Sequence, residues 1–420
     1  MRVMDERDLD VVLYGASGFV GRQTAEYFAK HAPVGLRWAV AGRDAVRLRQ
    51  VLAAMERDDV PILLAESGDE AALDRLASRT RVVLSTAGPF TQHGSKMVAA
   101  CVERRTHYVD ITGETPWVRD LIDRHHRQAA ADGTRIVPCC GFDSVPADLG
   151  TWLVARHLRE TRGIDCGTLT GCYRVAGGLN GGTLATVFLL HDNGQMRRLA
   201  DPFLLNEPPV PARDVRRASR DPHRAQFDPL FGVWTAPFFM GPINTRVVRR
   251  SASLAASWGE GYGERFAYQE CLTLGRRGGA AAAWSLALTS AALERLMGYR
   301  IPRAMLRRII PKPGEGPSVA AMDGGWYRCD IAGTLPGGEV VRCRVADTGD
   351  PGNRATTRLV CESALAIALQ EESLPGQHRG GVLTPATALG QVLVDRLRAA
   401  GMTMQVTIRA GEASGIAAND

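Results

Sequence analysis

The sequence contains no Cys-x-x-Cys pair, no His-Glu-x-x-His motif and no clustered acidic set. Its nine cysteines (Cys101, Cys139, Cys140, Cys166, Cys172, Cys271, Cys329, Cys343 and Cys361) are scattered, so neither a zinc site nor a disulfide framework is expected. They read as reduced thiols, including the Cys139-Cys140 pair at the end of an apolar run. No block of five or more like charges occurs, and the net charge of +6 is spread along the chain, mostly as arginine. That pattern argues against a nucleic-acid partner. No uncharged apolar run reaches the roughly 20 residues that span a bilayer. The first ten residues are charged and lack the apolar core of a secretory signal, which points to the cytoplasm. No Ser–His–Asp constellation stands out either. At 420 residues, 45% of them hydrophobic, the chain is long for one core, and two domains are the natural expectation.

What is present begins at residue 10. The apolar run Val11-Val12-Leu13 stops at Gly15 and is followed by Gly18 and Gly21, after which Thr24, Ala25, Phe28 and Ala29 fall near helical spacing. This predicts strand, tight turn and helix, the geometry that presents backbone N–H groups and a helix N-terminus to a pyrophosphate. Gly15 would make the sharp turn, Gly18 would admit phosphates to the backbone, and Gly21 would let helix and strand pack closely. A second strand, Trp38 to Ala41, ends in Gly42-Arg43-Asp44. An arginine at that position suits a ribose 2′-phosphate, where an acidic residue would select the free hydroxyl. The cofactor expected is NADP(H), held through Gly15, Ala16, Ser17, Gly18, Phe19, Val20, Gly21 and Arg43; the alternative for Arg43 is an ordinary solvated arginine.

Up to residue 145 apolar strands alternate with helical patterns, which implies a parallel sheet with right-handed crossovers. The rhythm then changes. A strand near Thr168 is followed by Gly177-Gly178 and Gly181-Gly182 and a helix from Thr183; residues 201–245, rich in proline and arginine, predict an irregular excursion. Strands are expected at Arg246-Val-Val-Arg, from Gly325 and from Val340, and helices over 355–370 and 390–400. The fold class is therefore α/β, a Rossmann doubly wound parallel sheet with an inserted α+β substrate domain. Its expected parts are 1–145 for the cofactor, 146–350 for substrate and any homodimer contact, and 351–420 as helices returning to the first. The alanine-rich uncharged run 279–293, with Arg295, Arg300, Arg303, Arg307, Arg308 and Lys312 after it, reads either as a buried helix with a polar exit or as a peripheral membrane or acyl-chain contact.

Several stretches together carry a family resemblance. They are Gly15-Ala-Ser-Gly-Phe-Val-Gly, Ala41-Gly-Arg, Ala87-Gly-Pro-Phe, His107-Tyr-Val-Asp-Ile-Thr-Gly-Glu, Gly141-Phe-Asp-Ser-Val-Pro-Ala-Asp, Pro311-Lys-Pro-Gly-Glu-Gly-Pro, Asp350-Pro-Gly and Gly381-Val-Leu-Thr-Pro-Ala. Across nearly its whole length the chain resembles the saccharopine dehydrogenase-like oxidoreductases, and among them the trans-acting enoyl reductases of polyketide and lipid assembly. The resemblance implies NADPH-dependent reduction of a double bond on a carrier-bound acyl or polyketide-like chain. Reduction of an imine or carbonyl, or a non-catalytic cofactor-binding role, are the alternatives. One departure is Asn353, where the family pattern commonly has tyrosine.

In a doubly wound sheet, ligands lie beyond the carboxyl ends of the strands. Ser85, Thr86, Ala87, Gly88 and Pro89 are expected against the nicotinamide ribose, with Gly113 nearby, and Glu66 either faces the adenine or is simply exposed. Gly141, Phe142 and Asp143 on one side and Gly181, Gly182 and Thr183 on the other would wall the substrate. Reduction of an activated C=C needs a proton for the α-carbon. The candidates are Asp143, Ser144 and Tyr108, with His107 beside them; Asp143 could instead cap the helix starting near Ala147.

Overall fold

The computed structural model describes residues 7–410 apart from 179, 210, 276–277 and 309–313, and at 182–184 the backbone alone. Pro311, Lys312 and Pro313 therefore lie outside the described residues. The first part of the chain alternates β1 (Leu9–Tyr14), α1 (Phe19–His31), β2 (Trp38–Gly42), α2 (Ala45–Ala53), β3 (Ile62–Leu64), α3 (Glu70–Arg79) and β4 (Thr80–Ser85). It continues with α4 (Ser95–Glu103), β5 (His107–Asp110), α5 (Thr115–Asp132), β6 (Arg135–Val137) and α6 (Val145–Arg162). The second part brings β7 (Thr168–Ala176), α7 (Gly181–Asp192), β8 (Gln226–Asp228), β9 (Val233–Pro237), α8 (Gly241–Ser257), β10 (Ala267–Thr273), α9 (Gly279–Met297) and α10 (Arg300–Leu306). Last come β11 (Trp326–Thr334), β12 (Val340–Thr348), α11 (Thr356–Gln370), β13 (Gly381–Val382), α12 (Pro385–Ala399) and β14 (Thr403–Arg409).

The strands form two seven-stranded sheets. One runs β13-β6-β5-β4-β1-β2-β3 and is parallel throughout. Its central strands are buried on both faces, which is why Val11-Val12-Leu13 and Val82-Val83-Leu84 read as continuous apolar runs without alternation. The other runs β14-β12-β11-β7-β10-β9-β8 and is mixed, with only β7 and β10 parallel. The C-terminal segment contributes to both: β13 extends the first sheet and β14 the second, two strands that the helix-only expectation for 351–420 did not contain.

The layer between the sheets is helical. α11 carries Leu359, Val360, Cys361, Ala364, Leu365 and Ile367 with no exposed surface, apolar around its circumference as a fully enclosed helix must be. It packs on β1, β4 and β5, while α6 packs on β11 and β12 and α12 joins the two. One contiguous apolar cluster therefore runs from Val11, Leu13 and Leu84 of the first sheet to Tyr173, Ile331 and Val345 of the second.

The strand expected at Arg246–Arg249 is instead the middle of helix α8. Arg246, Arg249 and Arg250 stand at i, i+3 and i+4, hence on one helical face, and all three are buried. Their guanidinium groups donate to backbone carbonyls of the proline-rich excursion. Arg246 reaches Leu199; Arg249 reaches Pro202 (2.8 Å) and Ser219 (2.5 Å), and Tyr268 (2.6 Å) on β10; Arg250 reaches Leu205 (2.7 Å), and Val382 (2.7 Å) on β13. A Val-Val pair between arginines scores as strand locally, but the acceptors that decide the matter lie elsewhere in the chain.

Candidate active site

The glycine turn after β1 is built as a cradle. Gly15 has φ +87°, and a Cβ there would come within 2.9 Å of the Ala87 backbone nitrogen. A Cβ on Gly21 would sit 2.1 Å from the Gly15 carbonyl oxygen, so α1 can approach the turn only with glycine at that place. Ala16 and Gly21 are buried and support the turn from behind, whereas Gly15, Ser17, Gly18, Phe19 and Val20 face the cavity. Helix α1 has Gly18 at its cap position, hence no side-chain cap, and no acidic residue in its first turn, leaving the positive end of its dipole unneutralised. These features fit a pyrophosphate.

Arg43, the first residue past β2, lines the same cavity and pairs with no carboxylate among the described residues. Arg47, one turn into α2, joins it; the sequence reading missed this residue, although the spacing Arg43-x-x-x-Arg47 carries the signal. Asp44 is occupied as the α2 cap, accepting from the N–H groups of Val46 (3.0 Å) and Arg47 (3.1 Å). Glu66 is exposed and does not face the cavity; its neighbours Ala65 and Ser67 do, Ser67 against the His93 ring nitrogen at 3.0 Å. Thr86, Ala87 and Gly88 line the cavity, while Ser85 is buried behind it and Pro89 stands off its wall. That loop is fixed by the buried Glu114 carboxylate, which accepts from the N–H groups of Phe90 (2.7 Å) and Thr91 (2.8 Å).

From the turn the cavity, about 600 Å³, continues between the sheets. Phe142 and Asp143 line it, and Gly141 lies behind them against Thr356. Opposite stand Val175, Gly177, Gly178 and Asn180, then Thr186, Val187 and Leu190 of α7. Gly181 is buried, its N–H donating to the Glu315 carbonyl, and does not reach the cavity; Gly182 and Thr183 are described in their backbone alone. Gly177 and Gly178 serve packing as well as access, since a Cβ on either would meet Pro351 or Pro317 at 2.7 Å. The segment Phe238, Phe239, Met240 and Ile243 adds a large apolar surface that sequence reading had assigned to an irregular excursion. Its only local signal is the Phe-Phe-Met run.

Asp143 faces this apolar wall. Its carboxylate has no hydrogen-bond or ionic partner among the described residues, and the place a Gly113 Cβ would take is 3.3 Å from its Oδ2. Burial pushes its pKa up to about 7. It does not cap α6: the cap position is Ser144, whose buried hydroxyl donates back to the Asp143 carbonyl and is turned away from the cavity. Tyr108 is buried on the opposite face of β5, among the outer helices, because strand alternation sends Val109 inward and Tyr108 outward. His107 also lies off the cavity, accepting from the Arg135 N–H (3.0 Å) and facing Glu371. Asn353 is buried between Asn180 (2.9 Å) and Asp350, joining two loops of the cavity wall without lining it. Among the described residues no group of three His, Cys, Asp or Glu could hold a metal.

Residues 11–137 match the saccharopine dehydrogenase NADP binding domain. A trans-acting enoyl reductase of Mycobacterium tuberculosis is 38% identical over 422 residues, covering 96% of this chain and 98% of its own length. The chain belongs to the trans-acting enoyl reductase family. The reductase of Mycobacterium leprae, 36% identical over 425 residues with 96% and 99% of the two chains covered, extends the match. A further M. tuberculosis relative reaches 40% over 432 residues. Among solved structures, saccharopine dehydrogenase (L-Glu forming) from Saccharomyces cerevisiae shares the fold, with a TM-score of 0.52 and 13% identity over 96% of this chain and all of that one. This family member is an NADP-dependent oxidoreductase. Its glycine cradle fits that cofactor, with Arg43 free to meet a 2′-phosphate and Arg47, paired with Asp44 at 3.4 Å, beside it.

Proposed function

We propose that the protein reduces the C=C bond of an α,β-unsaturated acyl chain, with Asp143 as the proton donor. The observation that carries this reading is the Asp143 carboxyl, unpartnered among the described residues and with its pKa near 7, set in an apolar wall that runs on from the cofactor cradle. Gly15, Ser17, Gly18, Phe19 and Val20 would hold the pyrophosphate, Arg43 and Arg47 the 2′-phosphate, and Thr86 to Gly88 the ribose next to the nicotinamide. Bound NADPH supplies a hydride for the β-carbon. Phe142, Val187, Leu190, Phe238 and Met240 exclude water and align the chain by burying its methylenes, each worth roughly 0.8 kcal/mol. Asp143 gives its proton to the α-carbon as the C=C bond is lost, and solvent restores it afterwards. A carboxyl with a pKa near the working pH is suited to this, since much of it is in the acid form. A carrier-tethered thioester fits an open-ended cavity. Of the arginines that follow the alanine-rich run, which would suit the acidic surface of a carrier, Arg303 and Arg307 are tied to Asp192, and Arg300 and Arg308 are unpaired among the described residues.

The test is transfer from stereospecifically deuterated NADPH to a panel of enoyl thioesters, imines and ketones, read by mass spectrometry. Deuterium at the β-carbon of an enoyl thioester is the expected result. Transfer only to an imine or ketone would replace this reading with the other reductase chemistry, and no transfer to any member would leave a cofactor-binding protein without turnover.

A further inference from the structure

Helix α9 is apolar, yet most of it is exposed. It rests on β8 and β9 through a small seat in which Ala283 and Ala287 meet Ala225 and Ala236. Beyond that seat Trp284, Leu288, Leu293 and Leu296 face outward, and the apolar surface continues over Tyr299, Ile301 and Met305 of the α9–α10 hairpin. Leu288, Ile301 and Met305 are 64%, 75% and 66% exposed. A contiguous surface of this kind marks a place where something apolar docks. The charge around it is one-sided. Between residues 279 and 308 the only acidic residue is Glu294, against five arginines. Arg303 and Arg307 are satisfied internally by Asp192. Arg295, Arg300 and Arg308 pair with nothing among the described residues.

We infer that this hairpin is a peripheral docking surface for an anionic lipid bilayer. A bilayer answers both observations: its acyl region takes Leu288, Leu296 and Ile301, and its phosphate headgroups neutralise the three free arginines. A second copy of the chain answers only the first, since a symmetric contact would bring the arginines against each other with Glu294 alone to oppose them. No described helix is long and apolar enough to cross a membrane, so the contact is at the surface. The hairpin is also attached to the cavity. β9, under α9, leads directly into Phe238 and Phe239, and α10 is pinned by Arg303 to Asp192 at the end of α7 (3.0 Å), the helix that gives Val187 and Leu190 to the cavity wall. Docking would thus present the apolar cavity to a lipid-soluble chain.

The inference is tested independently of turnover, by sedimentation of the full chain with phosphatidylcholine vesicles with and without 30% phosphatidylglycerol. Binding is expected only with the anionic lipid and should be lost at high salt. Removing Arg300 and Arg308 together should weaken partitioning by roughly five-fold for each arginine. The triple variant Leu288→Ser, Leu296→Ser, Ile301→Ser should abolish it, while its NADPH affinity, by fluorescence titration, stays at the wild-type value and reports an intact fold. Equal sedimentation with and without vesicles would overturn the inference. A concentration-dependent dimer that the triple variant dissociates, seen by light scattering, would assign the face to a second copy instead.

Discussion

Asp143 combines two costs that ordinary surface carboxylates avoid: it is desolvated, and among the described residues it has no partner. Its pKa of about 7 means that the folded protein holds a proton there which the unfolded chain, titrating near 4, releases. Between those values the native state binds the extra proton, so stability falls as pH rises through the window from about 4 to 7 and is level above it. Asp143→Asn should therefore raise the melting temperature at pH 8 by roughly a few degrees and change it little at pH 4. The same substitution should lower kcat by about 100-fold or more while the NADPH Kd is unchanged, because the proton donor is gone and the cradle is not. The wild-type rate should decline as pH rises past about 7, where the acid form is lost, and this limb should vanish in the variant. A gain in stability with a loss of rate separates an active-site carboxyl from a structural one. At the cofactor, Arg43→Ala should weaken NADPH by roughly 10-fold or more and leave NADH nearly untouched, as calorimetric titration would show. Equal losses would take the 2′-phosphate away from Arg43.

At the scale of elements, helix α8 holds the excursion through residues 199–221 by threading three arginines into its carbonyl groups. Arg249 is the clearest strut, with three carbonyl partners from three separate segments. Arg249→Met should cost about 3 kcal/mol or more in urea unfolding, since those acceptors would be buried without donors. Arg249→Lys should recover little, because one ammonium cannot span the fork. This helix also shows where local sequence reading stops. The strands β1 and β2 are legible because each ends at its own glycine, where the apolar run stops. Residues 246–249 are not, because their conformation depends on acceptors tens of residues away. The same holds for the site. Gly15, Gly18 and Arg43 announce themselves by spacing in one βαβ unit, whereas Phe238, Met240 and Leu190 become a wall only when the second sheet is laid over the first. Asp143 was visible as a candidate from its place at a strand end, but the choice between cap and cavity needed the orientation of Ser144.

Across the whole molecule, the apolar cluster shared by both sheets and the helices between them argues for one cooperative unit. Thermal unfolding followed by far-ultraviolet circular dichroism and by tryptophan fluorescence should give coincident midpoints, since neither sheet keeps a covered inner face without the other. Two resolved transitions would contradict that. The division into a cofactor part and a substrate part is therefore one of chemistry, and the last 70 residues link the two by giving a strand to each sheet. Their position has a consequence during synthesis. The inner face of β1, β4 and β5 waits for α11, which begins 219 residues after β6 ends at Val137. At ordinary ribosomal speed that interval is roughly 10–40 s. For that time the nascent chain carries a sheet with one greasy side open, and a chain stopped near residue 150 would never cover it. Such a truncated product should collect in inclusion bodies even though it contains every glycine of the nucleotide turn.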